Sequence, residues 1–353
     1  MFTQSDYSIS GTNDPLDLME ECYRRGWTDG LPVVPPTPDL VARFIDQTKF
    51  TSNHIIGELP ERRREITVEK VAANAVMAGC KPEYFPVVIS ACEAILDPKF
   101  NLVGPSSSLG GAGILLIING PLVTDLGINC RNNLFGPGNR ANATIGRAIR
   151  LILMNACAAI PGLFDRSVFG HPGKYSFCIA ESEESPWGQM HVERGFDNTD
   201  STVTAFACEG PRQVRTSGSP DVILNTISDV ASSLGTSAAT VGSTADTRSI
   251  IRRGEVAVVI SGEARIWKNY DKDKVKLILY EGTRRNLRDI KIANALGEPE
   301  EGDENTFIQL LDDPEDIILI FAGGEEKTMG AVLPSWGPKV SSTSITTLIP
   351  RIS

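Results

Sequence analysis

One stretch of the chain, residues 127–147, brings together side chains and backbone that suit ligand binding. It contains several glycines and asparagines, three arginines and one cysteine. A strand-like run at 113–119 precedes this signature loop, and a helix-like run at 143–155 follows it. In that arrangement, free backbone N–H groups at the start of a helix can face an anion or a polarised carbonyl oxygen.

We therefore predict that the signature loop binds a small anionic molecule. Arginine guanidiniums suit carboxylates and phosphates, and asparagine amides both donate and accept hydrogen bonds. The alternative is a rigid structural or subunit-contact loop whose asparagines cap their own backbone. The predicted substrate-binding residues are Asn129, Arg131, Asn132, Asn133, Gly138, Asn139, Arg140, Asn142 and Thr144, together with Lys174 further along the chain.

Cys130 is the predicted nucleophile because it is the cysteine that lies in this polar loop. If its thiolate faces the positive end of the following helix, with arginines nearby, its pKa falls and it can attack a carbon or a sulfur. The alternative is a small packed side chain. The other cysteines lie in apolar runs and are expected in the core.

Two histidines, His171 and His191, are predicted to transfer protons, assisted by Glu181 or Glu193. Glu181 follows a strand-like run, and His191 and Glu193 would share one face of an extended segment. A second hypothesis is a divalent metal held by His171, His191 and Glu193, a set of two histidines and one carboxylate. A third is structural hydrogen bonding.

The cofactor is left open, because the sequence contains neither of the two common glycine-rich nucleotide-binding motifs. The net charge of −10 argues against a nucleic-acid partner. The sequence shows no signal peptide and no long apolar run, which predicts a cytoplasmic protein without a membrane partner. The seven cysteines, none in a Cys-x-x-Cys pair, are then expected to be reduced.

The pattern of elements predicts an α/β protein with two similar lobes of buried, mostly parallel strands covered by helices. Residues 82–96 with 113–120, and 220–234 with 254–262, both read as a helix, a loop of small residues, an apolar strand and a glycine. This similarity indicates a possible internal repeat. The expected divisions are an N-terminal proline-rich extension at 1–66, a first lobe at 67–200 and a second lobe at 201–353.

Long motifs also identify a family that this chain resembles. They are Trp27–Thr37 (WTDGLPVVPPT), Asn74–Pro86, Phe135–Arg147 (FGPGNRANATIGR), Gly170–Cys178 and Ser185–Phe196. The chain resembles bacterial and fungal proteins associated with or fused to the UGSC proteins, which carry a reactive thiol or selenol. Relatives tend to carry histidines in the segments that correspond to 261–265 and 323–330, where this chain has none.

The resemblance implies a UGSC-like partner subunit and a homo- or hetero-oligomer. From the residues, we predict an enzyme that acts on a small carboxylate-bearing metabolite, a hydrolase or lyase at a C–N or C–S bond. Its site would combine residues 129–144 with His171 and His191. The alternative is a non-catalytic or regulatory subunit of a complex with the UGSC-like protein.

Overall fold

The structure is a computed structural model that describes residues 14–233, 241–244, 247–250, 254–293 and 297–351. The first 13 residues of the predicted N-terminal extension, and parts of the loop in the second predicted repeat unit, lie outside the described residues.

The helices are α1 Pro15–Arg24, α2 Pro38–Ile45, α3 Val68–Ala78, α4 Phe85–Leu96, α5 Val103–Ser107, α6 Leu122–Asp125, α7 Arg140–Asn155, α8 Met190–Glu193, α9 Pro220–Ala231, α10 Lys272–Gly282 and α11 Leu287–Ile292. The strands are β1 Ile55–Leu59, β2 Arg64–Thr67, β3 Gly113–Asn119, β4 Cys178–Ala180, β5 Thr202–Cys208, β6 Arg212–Arg215, β7 Val241–Thr244, β8 Thr247–Ile250, β9 Val256–Ile260, β10 Arg284–Asn286, β11 Phe307–Gln309, β12 Ile317–Phe321, β13 Met329–Pro334 and β14 Ile345–Leu348.

Two four-stranded sheets pack face to face. The first has the strand order β14-β5-β3-β4 and the second β12-β9-β13-β6. Side chains of a strand alternate between its two faces. In β3, Leu115 and Ile117 therefore contact the second sheet, whereas Leu116 and Ile118 face helices. The central strand β3 of the first sheet, with β9 and β12 of the second, is almost entirely apolar because both of its faces are buried.

Helices cover the outer face of each sheet. Helices α3, α4 and α7 share one core with the first sheet, and α9 and α10 share another with the second. Helix α4 packs on β5 and β14, and α9 packs on β13 and β6. The chain thus forms four layers, helix–sheet–sheet–helix, and the predicted mixture of helices and sheets is confirmed.

The expectation of mostly parallel strands is wrong, because the sheets are mixed. Only β3 with β4 and β9 with β12 pair in parallel within the two large sheets, and their other neighbours are antiparallel. Each parallel pair is joined by a long helix, α7 or α10, as a parallel crossover requires. Strand β13 follows β12 after a connection too short for such a helix, so it runs antiparallel to β9.

The two sheets exchange their fourth strands. Strand β6 follows β5 along the chain but lies beside β13 in the second sheet. Strand β14 follows β13 but lies beside β5 in the first sheet. The expected domain division at 200/201 falls between β4 and β5, which belong to the same sheet, so the two halves of the chain are interlocked.

Helix lengths bear on the membrane question. The longest helix in the described ranges, α7, has 16 residues. A helix needs about 20 predominantly apolar residues to cross a bilayer. Within those ranges, no helix combines sufficient length with sufficient apolar character to span one.

Candidate functional site

The carboxyl ends of the two parallel strand pairs meet at one edge of the two-sheet sandwich. The backbone N–H of Ser182, just after β4, donates to the carbonyl of Phe321 at the end of β12, at 2.8 Å. The N–H of Gly323 donates to the carbonyl of Cys130 in the signature loop, at 2.9 Å. Ligand sites of α/β proteins commonly lie at such an edge, outside the carboxyl ends of parallel strands.

A cavity of about 800 Å³ opens at this edge, and we call it the strand-end cavity. Three chain segments build it, one after β3, one after β9 and one after β12. Left-handed glycines end both second-sheet strands, Gly262 with φ 109° and Gly323 with φ 106°, and they turn the chain sharply around the cavity. Its lining residues are Arg131, Asn132, Glu263, Ala264, Arg265, Gly324, Glu325 and Glu326.

Sequence reasoning found only part of this lining. Arg131 and Asn132 were predicted to bind substrate, whereas Glu263, Arg265 and Glu326 were not identified. They lie in two segments, 261–265 and 323–330, that are distant in sequence from the signature loop. Their placement beside the signature loop depends on how the two sheets pack, which the sequence does not reveal.

The arginines of the signature loop suggest an electropositive site, but the strand-end cavity carries charges of both signs. Carboxylates outnumber guanidiniums on its lining, and each guanidinium has a carboxylate partner. Arg131 donates to Glu184 at 2.9 Å, Asn132 donates to Glu326, and Arg265 pairs with Glu263. A ligand that carries both a carboxylate and a cationic group would match this lining better than a simple anion.

The asparagines of the signature loop mostly hold the loop itself. Asn129 donates its backbone N–H to the side-chain oxygen of Asn142 at 2.7 Å, and Asn142 returns a bond to the Asn129 carbonyl at 3.0 Å. Asn139 caps α7 by accepting from the N–H of Asn142 at 3.1 Å. Asn133 has a left-handed backbone and donates to the Pro137 carbonyl. These contacts match the structural alternative.

Three further predicted binding residues lie at the start of α7 or just before it, and two of them, Arg140 and Thr144, lie near Gly79 at the end of α3. Arg140 donates from Nε and Nη2 to the carbonyl of Gly79, at 3.1 and 3.0 Å. The hydroxyl of Thr144 donates to the Arg140 carbonyl. Gly138, with φ 119°, turns the chain before the helix. None of the three lines the strand-end cavity.

Cys130 is half-buried beside the cavity, and its thiol forms a hydrogen bond with the side chain of Ser182. Burial raises the pKa of its thiol, and the nearby charge of Arg131 opposes this only in part. The sequence predicted the opposite direction. The reason is that α7 begins ten residues later, at Arg140, and its first turn is capped by Asn139. Cys130 therefore rests as a thiol at neutral pH.

His171 lies at the other end of the first sheet. Its ring fits against Gly113 and Gly173, where any Cβ would lie within 3 Å of the ring, and it meets Phe177 edge-on. Its Nδ1 accepts from the Gly173 N–H at 3.1 Å, and burial lowers its pKa. Gly113 begins β3, so the length of that strand, roughly 20 Å, separates His171 from the strand-end cavity.

His191 and Glu193 do not form a pair. The segment predicted to be extended is the short helix α8, so side chains two residues apart point in different directions. His191 is fully buried and burial lowers its pKa. Glu193 instead binds Lys272, at 2.6 Å, and Lys276 on α10. Its carboxylate is thus committed to two ammonium groups.

The hypothesised metal set is not assembled. His171 lies at the opposite end of β3 from α8, which carries His191 and Glu193. Among the described residues, no group of three histidine, cysteine or carboxylate side chains is arranged to hold a metal ion. The remaining predicted residue, Lys174, lies near His171 and binds Asp165.

Glu181 is the carboxyl group with the most unusual environment. It is almost completely buried, and its Oε2 accepts from Asn119 Nδ2 at 2.6 Å and from the N–H of Met190 at 2.8 Å. Burial raises its pKa from 4.5 to about 7, despite the opposing charge of Lys272. Sequence reasoning identified Glu181 from its place after a strand but missed Asn119, which ends the neighbouring strand.

Comparisons of the chain with protein-family models, with curated proteins and with solved structures give no match. The resemblance to the UGSC-associated proteins therefore stays a prediction, and the functional argument depends on the site itself.

Proposed function

We propose that this protein is an enzyme that acts on a small metabolite bearing a carboxylate and a cationic nitrogen, bound in the strand-end cavity. The observation that carries this proposal is the convergence of three post-strand segments on one cavity. It brings two arginines, Arg131 and Arg265, together with three glutamates, Glu263, Glu325 and Glu326. Hydrolysis or elimination at a C–N or C–S bond is the reaction class we assign to it.

Arg131 is the proposed carboxylate-binding residue. Its guanidinium is largely exposed and already binds the carboxylate of Glu184. The same N–H groups could therefore bind the carboxylate of a substrate. A substrate carboxylate that takes the place of Glu184 would free that side chain. Glu325 and Glu326, which line the same cavity, would hold the cationic nitrogen by charge and hydrogen bonding.

Cys130 remains the proposed nucleophile, but it needs a base. Because its thiol is protonated at rest, its proton must pass to an acceptor before the sulfur attacks the substrate carbon. The C–N or C–S bond then breaks, the leaving amine or thiol takes up the proton, and water hydrolyses the sulfur–carbon bond to restore the thiol. Glu184 is a carboxylate whose charge acts on Cys130. Its release from Arg131 on substrate binding would supply that acceptor, so that binding and activation of the nucleophile are coupled.

The predicted internal repeat fits this proposal. Helix α4 leads to β3 and α9 leads to β9, and each strand lies between its parallel partner and an antiparallel neighbour. We propose that the two units arose by duplication. The strand-end cavity would then lie at the carboxyl ends of one unit and be completed by the post-strand loop of the other.

A second candidate function is a non-catalytic subunit of a complex with a UGSC-like thiol protein, as part of a larger oligomer. The hydrogen bonds that Asn129, Asn139 and Asn142 make within the signature loop favour it, because a loop whose polar groups are already matched is suited to a scaffold. This function predicts co-purification with such a protein and no loss of activity when Cys130 is replaced.

Turnover separates the two functions. The purified protein is incubated with a panel of α-amino acids, including sulfur-containing ones, and ammonia and sulfide release are measured. Enzyme function predicts release by the wild-type chain and loss of release in Cys130→Ser and Arg131→Met. Arg212→Met is the matched control, since Arg212 is also a partly exposed arginine paired with a glutamate. Release that survives both substitutions would contradict the assigned site.

A further inference from the structure

A second cavity, of about 670 Å³, lies at the opposite end of the first sheet, near His171. It shares no lining residue with the strand-end cavity. Helix α7 supplies one wall, and residues 161–175 supply most of the other. We call it the Arg150 cavity, after the arginine on its helical wall.

The polar groups of this cavity are unequally satisfied. Asp165 is buried and accepts two hydrogen bonds from the ammonium of Lys174, at 2.8 and 2.9 Å, and one from Nη1 of Arg150 at 3.2 Å. The third N–H of the Lys174 ammonium donates to the hydroxyl of Ser167. Arg150 has five N–H donors, and the bond to Asp165 is its only hydrogen bond among the described residues.

The charges of the cavity do not balance. Two cations, Arg150 and Lys174, share the single carboxylate of Asp165. The other carboxylate on the lining, that of Asp29, accepts from Nε and Nη2 of Arg147, both at 2.8 Å. One positive charge is therefore left over on a guanidinium whose side chain is only 12% exposed, where a partner anion is worth more than at the surface.

The lining also carries large apolar and aromatic side chains. Met154 lies on the helical wall, and the rings of Phe169 and Tyr175 stand at the mouth. Phe169 is 96% exposed and Tyr175 is 52% exposed. Large aromatic side chains with so little protein contact are typical of surfaces that cover a ligand.

We infer that the Arg150 cavity is a second ligand site, which binds an organic monocarboxylate with an aromatic or aliphatic body. The free N–H groups of the Arg150 guanidinium donate side by side to the two carboxylate oxygens, a geometry that suits arginine better than lysine. The body of the ligand lies against Met154 and beneath the rings of Phe169 and Tyr175. A single surplus charge fits a monoanion better than a phosphate dianion.

Phenylacetate is the probe that tests this inference, with its neutral amide phenylacetamide and with inorganic phosphate as comparisons. Binding is followed by the backbone amide shifts of the full chain. We expect phenylacetate to shift amides at Arg150 and Lys174, phenylacetamide to bind much more weakly, and phosphate to bind more weakly than phenylacetate. Stronger binding of phosphate than of phenylacetate would overturn the ligand class.

Two variants assign the binding to the cavity. Arg150→Met should weaken phenylacetate binding by about tenfold or more, because it removes a charged hydrogen-bond pair. Phe169→Ala should weaken it several-fold, and this ring is too exposed for its loss to disturb the fold. If Arg150→Met fails to fold, Arg150→Lys keeps the charge beside Asp165 and should still lose most of the affinity. Unchanged binding in Arg150→Lys and Phe169→Ala would overturn the inference.

The test of the second site does not depend on the proposed enzyme function. Arg131→Met alters only the strand-end cavity, so phenylacetate should bind this variant as it binds the wild-type chain. Loss of phenylacetate binding in Arg131→Met would show that the probe occupies the other cavity, and it would contradict the inference.

Discussion

The amide of Asn119 and the carboxyl group of Glu181 lie side by side inside the sandwich, joined by a 2.6 Å hydrogen bond. Asn119 is the last residue of β3 and Glu181 directly follows β4, its parallel neighbour, and both are almost completely removed from solvent. The carboxyl group is surrounded by protein on every side, so its neutral form is favoured. Its pKa of about 7 makes it a group that changes charge near physiological pH.

Stability should therefore decrease as the pH rises through the range in which Glu181 ionises. Its pKa is raised from 4.5 in the unfolded chain to about 7 in the folded one, so the folded chain binds more protons between these values. The free energy of unfolding should carry its full contribution below about pH 4.5 and lose up to roughly 3 kcal/mol by about pH 7.

Glu181→Gln isolates this effect, because glutamine keeps the acceptor oxygen and cannot ionise. Denaturant unfolding at about pH 5 and about pH 8 should show a smaller loss of stability in the variant than in the wild-type chain. Glu281→Gln, at an exposed position on α10, is the control and should leave the loss unchanged. Equal losses in wild type and Glu181→Gln would refute the assignment.

The ion pair of Asp29 with Arg147 should be a large contributor to stability. The pair is bidentate, and the Asp29 side chain is only 2% exposed. Asp29→Asn leaves a mostly buried guanidinium without its counter-charge and should cost about 3 kcal/mol or more. Glu209→Gln breaks the more exposed pair with Arg212 and should cost less than about 1 kcal/mol.

Urea unfolding of both variants measures this difference. If Asp29→Asn lowers the free energy of unfolding no more than Glu209→Gln does, the prediction is wrong. That result would mean that the carbonyls of Leu31 and Pro32 hold Arg147, and that the carboxylate of Asp29 does not.

Gly146 marks the closest approach of α7 to the chain before β4. A Cβ there would lie 2.5 Å from the hydroxyl of Ser176 and 2.6 Å from the backbone nitrogen of Phe177. Gly146→Ala should therefore destabilise the protein by roughly 1–3 kcal/mol, although alanine favours helix by about 1 kcal/mol. Asn225→Ala on the exposed face of α9 is the control and should stabilise slightly. A more stable Gly146→Ala protein in thermal unfolding would show that α7 can move away.

The exchanged strands predict that neither half of the chain folds alone. The fragment 14–200 lacks β5 and β14, which complete its sheet. Its amide NMR spectrum should be poorly dispersed, and mixing it with the fragment 201–353 should restore dispersion. A well-dispersed spectrum of the fragment 14–200 alone would contradict the shared sheets.

The sequence predicts the buried strands and the long helices well. The apolar run of β3 and the apolar face of α7 mark their elements clearly, because burial on both faces or on one face leaves a periodic signature. Strand direction is less visible, since it depends on the length of connections such as the one between β12 and β13. The exchange of β6 and β14 leaves no local signal at all.

The site was only partly predictable for the same reason. Arg131 and Asn132 stand out because polar side chains in a glycine-rich loop are conspicuous. Glu263 and Glu326 belong to turns distant in sequence, and only the packing of the two sheets brings them to the signature loop. His171 was predicted to lie at the site, but it lies at the opposite end of the first sheet. The glycines beside it, Gly113 and Gly173, make room for its ring.

The most direct test of the central claim is a titration of the full-length protein with the α-amino acid panel, followed by the backbone amides of Asn132 and Gly324. Both residues line the strand-end cavity, Asn132 in the segment after β3 and Gly324 in the segment after β12, and they lie next to each other. The account predicts that at least one amino acid shifts both amides in a saturable manner, and that Arg131→Met abolishes the shifts while Arg212→Met does not. Shifts that persist in Arg131→Met, or a panel that leaves both amides unmoved, would contradict it.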